Sequence, residues 1–477
     1  MKEIRLGLTF QDVLLVPKYS KVSTRKQVDV STNLTKKIRM HIPIVASNMD
    51  TVCEAEMAIH MARMGGIGII HRFLPIEDQA KEVEKVKRAE SIIIERPYTT
   101  TPTATVKEAT EIMHLHNVSG LIVTQNNKVQ GILTERDIQF ATPDTKVAKV
   151  MTPKERLVTA PPTISIEEAQ DIMYQKRVEK LPLVDSNNVL QGLITVQDIL
   201  KKKENPISTK DKKGRLATGA AVGVKGDFLK RTEALIEVGT DVIVVDIAHG
   251  HSELAINTVK KIKKNYDIEV IAGNVATKEG TADLIAAGAD GIKVGVGPGS
   301  ICITRIVAGA GVPQLTAIWD SAEAARPQGV PIIADGGIRT SGDVTKALMA
   351  GADSVMIGSL LAGTTESPGL PILRNGKRYK VIRGMASLGA TLGREAKEKK
   401  GSFDESDVEG VVPEGVEALV PFKGTAKDVV NQLVGGLKSG ISYCGGLSIE
   451  EARKNAEFIR ITPAGFKESK PHDVEVV

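Results

Sequence analysis

The sequence predicts an α/β protein, a (β/α)8 TIM barrel with a duplicated second domain inserted into it. Three observations lead there. Short apolar runs punctuated by glycine recur at roughly 25-residue intervals and alternate with helical patterns, the rhythm of parallel strands and crossover helices. Eight such runs can be counted along the chain. Between the second and third the texture changes, and a self-similar segment with a period of about 60 residues takes over.

In order, 42–47 (IPIVAS) and 66–70 (GIGII) read as buried strands, with helical spacing over 54–63 between them. The first barrel segment is 1–92 and the insert 93–204, divided into copies at about 93–150 and 151–204. The copies start their helices at Val106 and Ile166. Each then gives a strand, an Asn-Asn turn, a second strand and a helix opened by Thr-x-x-Asp. A charged linker, KKKENPISTKDKKG, returns the chain to the barrel segment 205–477. There the strand signals are 216–222, 242–248, 269–275, 291–296, 331–335 and 354–357. An open doubly wound sheet is the competing architecture, but no GxGxxG follows the first strand.

At 477 residues the chain exceeds one small domain, and 42% hydrophobic with 25% charged residues is ordinary for a soluble protein. The 44 glycines and only 3% aromatics suit many tight turns on an α/β frame. A net charge of +5, from 63 basic and 58 acidic residues interspersed, gives no reason to expect specific nucleic-acid binding. Three scattered cysteines argue against a disulfide framework or zinc site and for a reducing compartment. No run of about 18 apolar residues and no signal-type N-terminus is present, so no membrane association and a cytoplasmic location are expected.

In a barrel, chemistry gathers at the C-terminal ends of the strands. The sixth strand runs into KVGVGPGSICITR (293–305), where glycines permit a tight turn whose N–H groups approach an anion. A thiol at Cys302 is either activated by those dipoles or a small core residue. Glycine-rich loops after the last two strands form the usual barrel phosphate site. Gly337, Gly358, Ser359 and Ser300 would hold a phosphate, and Asp335 would accept from ribose hydroxyls or cap its turn. A 5′-nucleotide follows as substrate, its base reaching toward Cys302.

The stretches LTFQDVLLVP (8–17), SNMDTV (47–52), GGIGIIHR (65–72), GPGSICITRIVAGAGVPQ (297–314), ADGGIRTSGD (334–343), GSLLAGTTESPG (358–369) and RGMASLGA (383–390) carry a resemblance along nearly the whole chain. It is to the inosine-5′-monophosphate (IMP) dehydrogenase and guanosine-5′-monophosphate (GMP) reductase family. The resemblance implies NAD-dependent oxidation of IMP to xanthosine-5′-monophosphate (XMP), a step of guanine nucleotide synthesis, through a covalent Cys302 intermediate. Thr304 and Glu414 would assist. Ser47, Met49, Ser300, Asp335, Gly336, Gly337, Gly358, Ser359, Met385, Ala386 and Glu414 would bind IMP. Asp246, Asn274, Gly295 and Gly297 would face NAD. Carbonyls of Gly297, Gly299 and Cys302, completed by Glu468 and Ser469 of a neighbouring subunit, would hold a monovalent cation (K+), which implies a homotetramer. The inserted pair resembles a CBS tandem, which implies adenine or guanine nucleotides held by Asp137 and Asp198; the alternative for both aspartates is helix capping after Thr134 and Thr195.

Two departures stand out. The mobile flap, about 384–424, lacks the Arg-Tyr pair whose arginine activates water in the dehydrogenases; Arg394 is its only arginine, and Lys399 or Lys400 are the substitutes at hand. Ile382 replaces a phosphate-binding tyrosine, and Ala386 a glycine. The first departure keeps two other readings open, GMP reductase and a slow regulatory paralogue.

Overall fold

The computed structural model describes residues 4–90, 93–197, 199–200, 205–387, 389–390, 412–471 and 473–474. The chain forms two compact units: Met1–Ala89 with Ile207–Asp211 and Leu216–Val477, and Glu90–Pro206 with Lys212–Arg215.

The first unit is a closed eight-stranded barrel. Its strands are β1 (Ile44–Ala46), β2 (Ile67–Ile70), β3 (Gly219–Val222), β4 (Val242–Asp246), β5 (Glu269–Val275), β6 (Gly291–Val294), β7 (Ile332–Asp335) and β8 (Ser354–Ile357). All neighbours pair in parallel, and Val355 of β8 stands opposite Ile44 of β1 to close the ring. Buried on both faces, the strands are nearly continuous apolar runs. Alternate residues sort to two cores. Val45, Ile67, Ile69, Val244, Ile333 and Met356 fill the barrel interior together with Leu34 and Met40 of a short N-terminal hairpin. That hairpin plugs the end where the strands begin, since Lys36 N donates to Asp290 O just ahead of β6. Ile44, Val222, Val245, Ala272, Ile292 and Val355 face the surrounding helices.

The helices α1 (Ala55–Arg63), α2 (Ile76–Ala89), α3 (Phe228–Glu237), α4 (Glu253–Asn265), α5 (Lys278–Ala286), α6 (Gln314–Ala325), α7 (Ser341–Ala350) and α8 (Ala426–Tyr443) surround the strands. Ser252, Thr277, Thr340 and Thr425 cap α4, α5, α7 and α8 by accepting a backbone N–H. Beyond β8 an antiparallel sheet follows: β9 (Ile372–Arg374), β10 (Lys377–Arg383) and β11 (Glu417–Pro421). Buried Lys380 fastens it to the barrel by donating to the carbonyls of Thr364 and Ser367.

The second unit departs from α2 and holds the two sequence repeats. The first packs helix Val106–His116 with strands Gly120–Gln125 and Lys128–Thr134, the second helix Ile166–Lys176 with strands Lys180–Val184 and Leu190–Thr195. Both helices open with a reciprocal capping box, Thr105 with Glu108 and Ser165 with Glu168. Asn126, Asn127 and Asn188 turn the hairpins with positive φ, and the hairpins join each other through Val129 N to Asn188 O and Leu190 N to Asn127 O. No helix among the described residues is long and apolar enough to cross a membrane.

Candidate active site

The cysteine turn leaves β6 through Gly295, whose φ of +149° and 2.1 Å approach of a would-be Cβ to Asp335 O admit only glycine. Gln314, on α6, donates to Val294 O and Asp335 O and so pins β6 to β7 where the turn begins. Arg305 closes the turn from beneath by donating to Val296 O and Val312 O. Cys302 is half-buried at the surface of this frame. Its Sγ lies 3.2 Å from Thr304 Oγ1, which donates to Glu414 Oε2 at 2.7 Å. Glu414 is held by its own backbone: its carbonyl accepts from Ile303 N and its N–H donates to Ala386 O. Thiol, hydroxyl and carboxylate thus form one continuous proton path.

A second centre lies inside the barrel mouth. Lys293, on the interior face of β6 and only 4% exposed, reaches Asp246 at 2.8 Å and Asp335 at 2.7 Å. Burial on its own would lower the ammonium's pKa, but the two carboxylates outweigh it and the net direction is upward. Burial likewise works to raise Asp246, and Lys293, with help from Arg72 and Asn48, reverses it to a net lowering. The lysine is therefore charged and Asp246 ionised. Asn48 donates to Asp246, and Asn274 donates to both Asp335 and Gly295 O. Asp335 keeps Oδ2 in this network.

The remaining predicted residues converge on the same mouth. A Cβ on Gly336 would meet Pro298 Cγ at 3.0 Å and Gly299 N at 3.1 Å, so the loop after β7 lies against the cysteine turn. One on Gly358 would meet Met49 Sδ at 2.9 Å, with Ser47 beside it. Gly337 approaches Pro298, and Ser359 opens the short helix Ser359–Ala362. Met385 and Ala386 follow β10, whose Arg383 pairs with Asp50, 6% exposed, in the loop after β1. The carbonyls of Gly297 and Cys302 accept no backbone hydrogen bond among the described residues, whereas Gly299 O accepts from Cys302 N.

Glu468 and Ser469 stand apart. They end helix Pro463–Glu468, which packs on the turn Phe10–Asp12, and Ser469 Oγ donates to Gly465 O. In the second unit Asp137 caps its helix: Oδ2 accepts from Thr134 N and Oγ1. Asp198, Arg394, Lys399 and Lys400 lie outside the described residues.

Lys293, Asn48, Gln314, Arg305 and the Asp50–Arg383 pair are the site residues that sequence reasoning missed. A signal existed for Lys293, since a lysine in an otherwise apolar barrel strand must find a partner.

A model of the IMP dehydrogenase / GMP reductase domain matches residues 7–472. The chain is 56% identical to inosine-5′-monophosphate dehydrogenase of Nitrosopumilus maritimus over 474 residues, 99% of each chain. It is 51% identical to GMP reductase of Leishmania donovani, covering 98% of this chain and 97% of that one. Among solved structures, a GMP reductase variant of Trypanosoma brucei in complex with guanosine 5′-monophosphate superposes with a TM-score of 0.93 at 48% identity, covering 99% of both chains.

Proposed function

The chain belongs to the IMP dehydrogenase / GMP reductase family of oxidoreductases, and from that premise we propose that it oxidises IMP to XMP with NAD. The observation that carries this reading is the path Cys302–Thr304–Glu414 at the mouth of a barrel whose last two loops are glycine-rich. Glu414 takes the thiol proton through Thr304, and the thiolate adds to C2 of the purine. NAD, when bound, supplies the acceptor for the hydride that leaves C2. Glu414 then gives the first proton up to solvent, and in the second half water adds to C2 as Glu414, again through Thr304, removes its proton; the sulfur departs as thiolate, takes that proton back through Thr304, and XMP is released. The balance is IMP + NAD+ + H2O → XMP + NADH + H+.

The phosphate is held at Ser300, Gly337, Gly358 and Ser359, the ribose by the free oxygen of Asp335, and the base between Met49 and Met385–Ala386. For NAD, a cavity of about 810 Å3 opens beside Asp246, flanked by Arg72 and Lys225, and is of the size small-molecule sites need. A monovalent cation fits the free carbonyls of Gly297 and Cys302 with that of Gly299, hard oxygen ligands suited to K+. It would fix the shape of the turn, with Glu468 and Ser469 of a second copy completing it in a homotetramer. The duplicated unit, as a CBS pair, takes adenine or guanine nucleotides.

One observation favours a second reading. The flap carries no Arg-Tyr pair. The reductive reaction, GMP + NADPH + 2 H+ → IMP + NADP+ + NH4+, replaces the C2 amino group by hydride and needs no activated water. Anaerobic mixing of the protein with each nucleotide and cofactor, followed by product chromatography, separates the two. XMP with NADH supports the dehydrogenase; IMP formed from GMP with NADPH assigns the reductase; turnover of neither nucleotide sinks both.

A further inference from the structure

At the end of the barrel opposite Cys302, a cavity of about 500 Å3 is floored by Pro331 and Ile332, where β7 begins, and by Asp353, just ahead of β8. Four cations line it: Arg39, Arg326, Arg453 and Lys454. Its three carboxylates are all answered within the wall. Asp29 accepts from Ser31 N and Oγ, Asp353 accepts from Ile332 N and pairs with Arg453, and Glu450 pairs with Lys454.

Two guanidinium groups are left with donors to offer. Arg39 uses one nitrogen on Ser31 Oγ. The Arg326 guanidinium makes no hydrogen bond or ion pair among the described residues. Its Nη2 lies 3.2 Å from where a Cβ on Gly351 would stand, at a φ of +129° that favours glycine. Partial burial and the neighbouring charge of Arg453 push the Arg326 pKa down, and the attraction of Asp353, already paired with Arg453, only partly offsets them. Arginine forks match the geometry of phosphate oxygens, and a group binding between them would satisfy those donors and screen that repulsion.

We propose that this cavity is a binding site for a phosphate group, with Arg326 and Arg39 as its principal donors. It is separate from the nucleotide site, and the argument for it does not depend on the reaction catalysed. The cavity is larger than inorganic phosphate requires, so a small organic phosphate is the second source of the same chemistry.

The test is equilibrium dialysis of the full-length protein against radiolabelled inorganic phosphate, with no nucleotide present. Arg326→Ala and Arg39→Ala should each weaken one class of sites by about tenfold or more, and Arg326→Lys should restore part of the loss by returning the charge without the fork. Ribose 5-phosphate displacing that class assigns an organic phosphate; failure to displace it assigns inorganic phosphate. Parental phosphate stoichiometry and affinity in both alanine variants would overturn the proposal.

Discussion

Replacing Lys293 by methionine tests the ionic centre of the barrel mouth. The substitution keeps the length of the side chain and removes the charge that Asp246 and Asp335 share at 2.8 and 2.7 Å. Both carboxylates are then left in a largely buried site, with Asn48 and Asn274 as donors and the charge of Arg72 near Asp246. Removing one partner of a buried ion pair typically costs about 3–5 kcal/mol, several times a surface ion pair. The pH dependence follows from the directions of the shifts. Asp246 is held below its unfolded value, so its contribution is present above that value and is lost as pH falls through the folded one. Lys293 is raised, so its contribution is intact throughout the acid and neutral range and disappears only at strongly alkaline pH. The deficit of Lys293→Met should therefore be largest near neutrality and shrink as the medium is acidified and the stranded Asp246 takes up a proton. Adding Asp335→Asn should recover part of it at neutral pH. The assay is urea unfolding followed by the fluorescence of Trp319, the only tryptophan in the chain. It lies on α6 edge-on to Phe458 and reports the barrel unit specifically. A neutral-pH deficit below about 1 kcal/mol, or one that grows on acidification, would refute the reasoning.

Three further outcomes are expected. Glu414→Gln should lower kcat by about 10²–10⁴-fold, measured by steady-state NADH formation. Iodoacetamide applied to the native protein near neutral pH should label Cys302 well ahead of the others, read by peptide mass spectrometry, because burial pushes the thiol of Cys53 well up and raises that of Cys444, and both side chains are buried. Gly336→Ala should slow that labelling and raise KM for the nucleotide: its φ of +86° costs a non-glycine residue about 1–2 kcal/mol, and the new methyl presses on Pro298 and Gly299 of the cysteine turn.

The barrel was legible because parallel strands buried on both faces announce themselves as short apolar runs, and glycines mark where each ends. The cysteine turn and the two glycine-rich loops were legible for the same reason, being local in sequence. What stayed hidden depends on closure of the ring. Asp50 and Arg383 are 333 residues apart and meet only because β10 returns to the loop after β1. Lys293 meets Asp246 and Asp335 only because β4, β6 and β7 project inward at a common height. Glu414 came from family resemblance, and its hold on Thr304 depends on backbone pairing with the cysteine turn that no spacing rule predicts. At Asp137 the local reading, a helix cap, is the one the geometry displays.

Closure of the ring also has a consequence for the order in which the chain is made. β1 requires β8 and β2 requires β3, so the first two strands leave the ribosome long before their outer partners exist. Synthesis at about 5–20 residues per second leaves β1 waiting on the order of 10 s or more for β8. The duplicated unit, translated in that interval, draws its strand pairs from near neighbours and can fold while the first two strands wait. Nascent chains arrested before Ile357 would thus display two unsatisfied apolar strand edges beside a finished domain, an arrangement that calls for a chaperone or for speed.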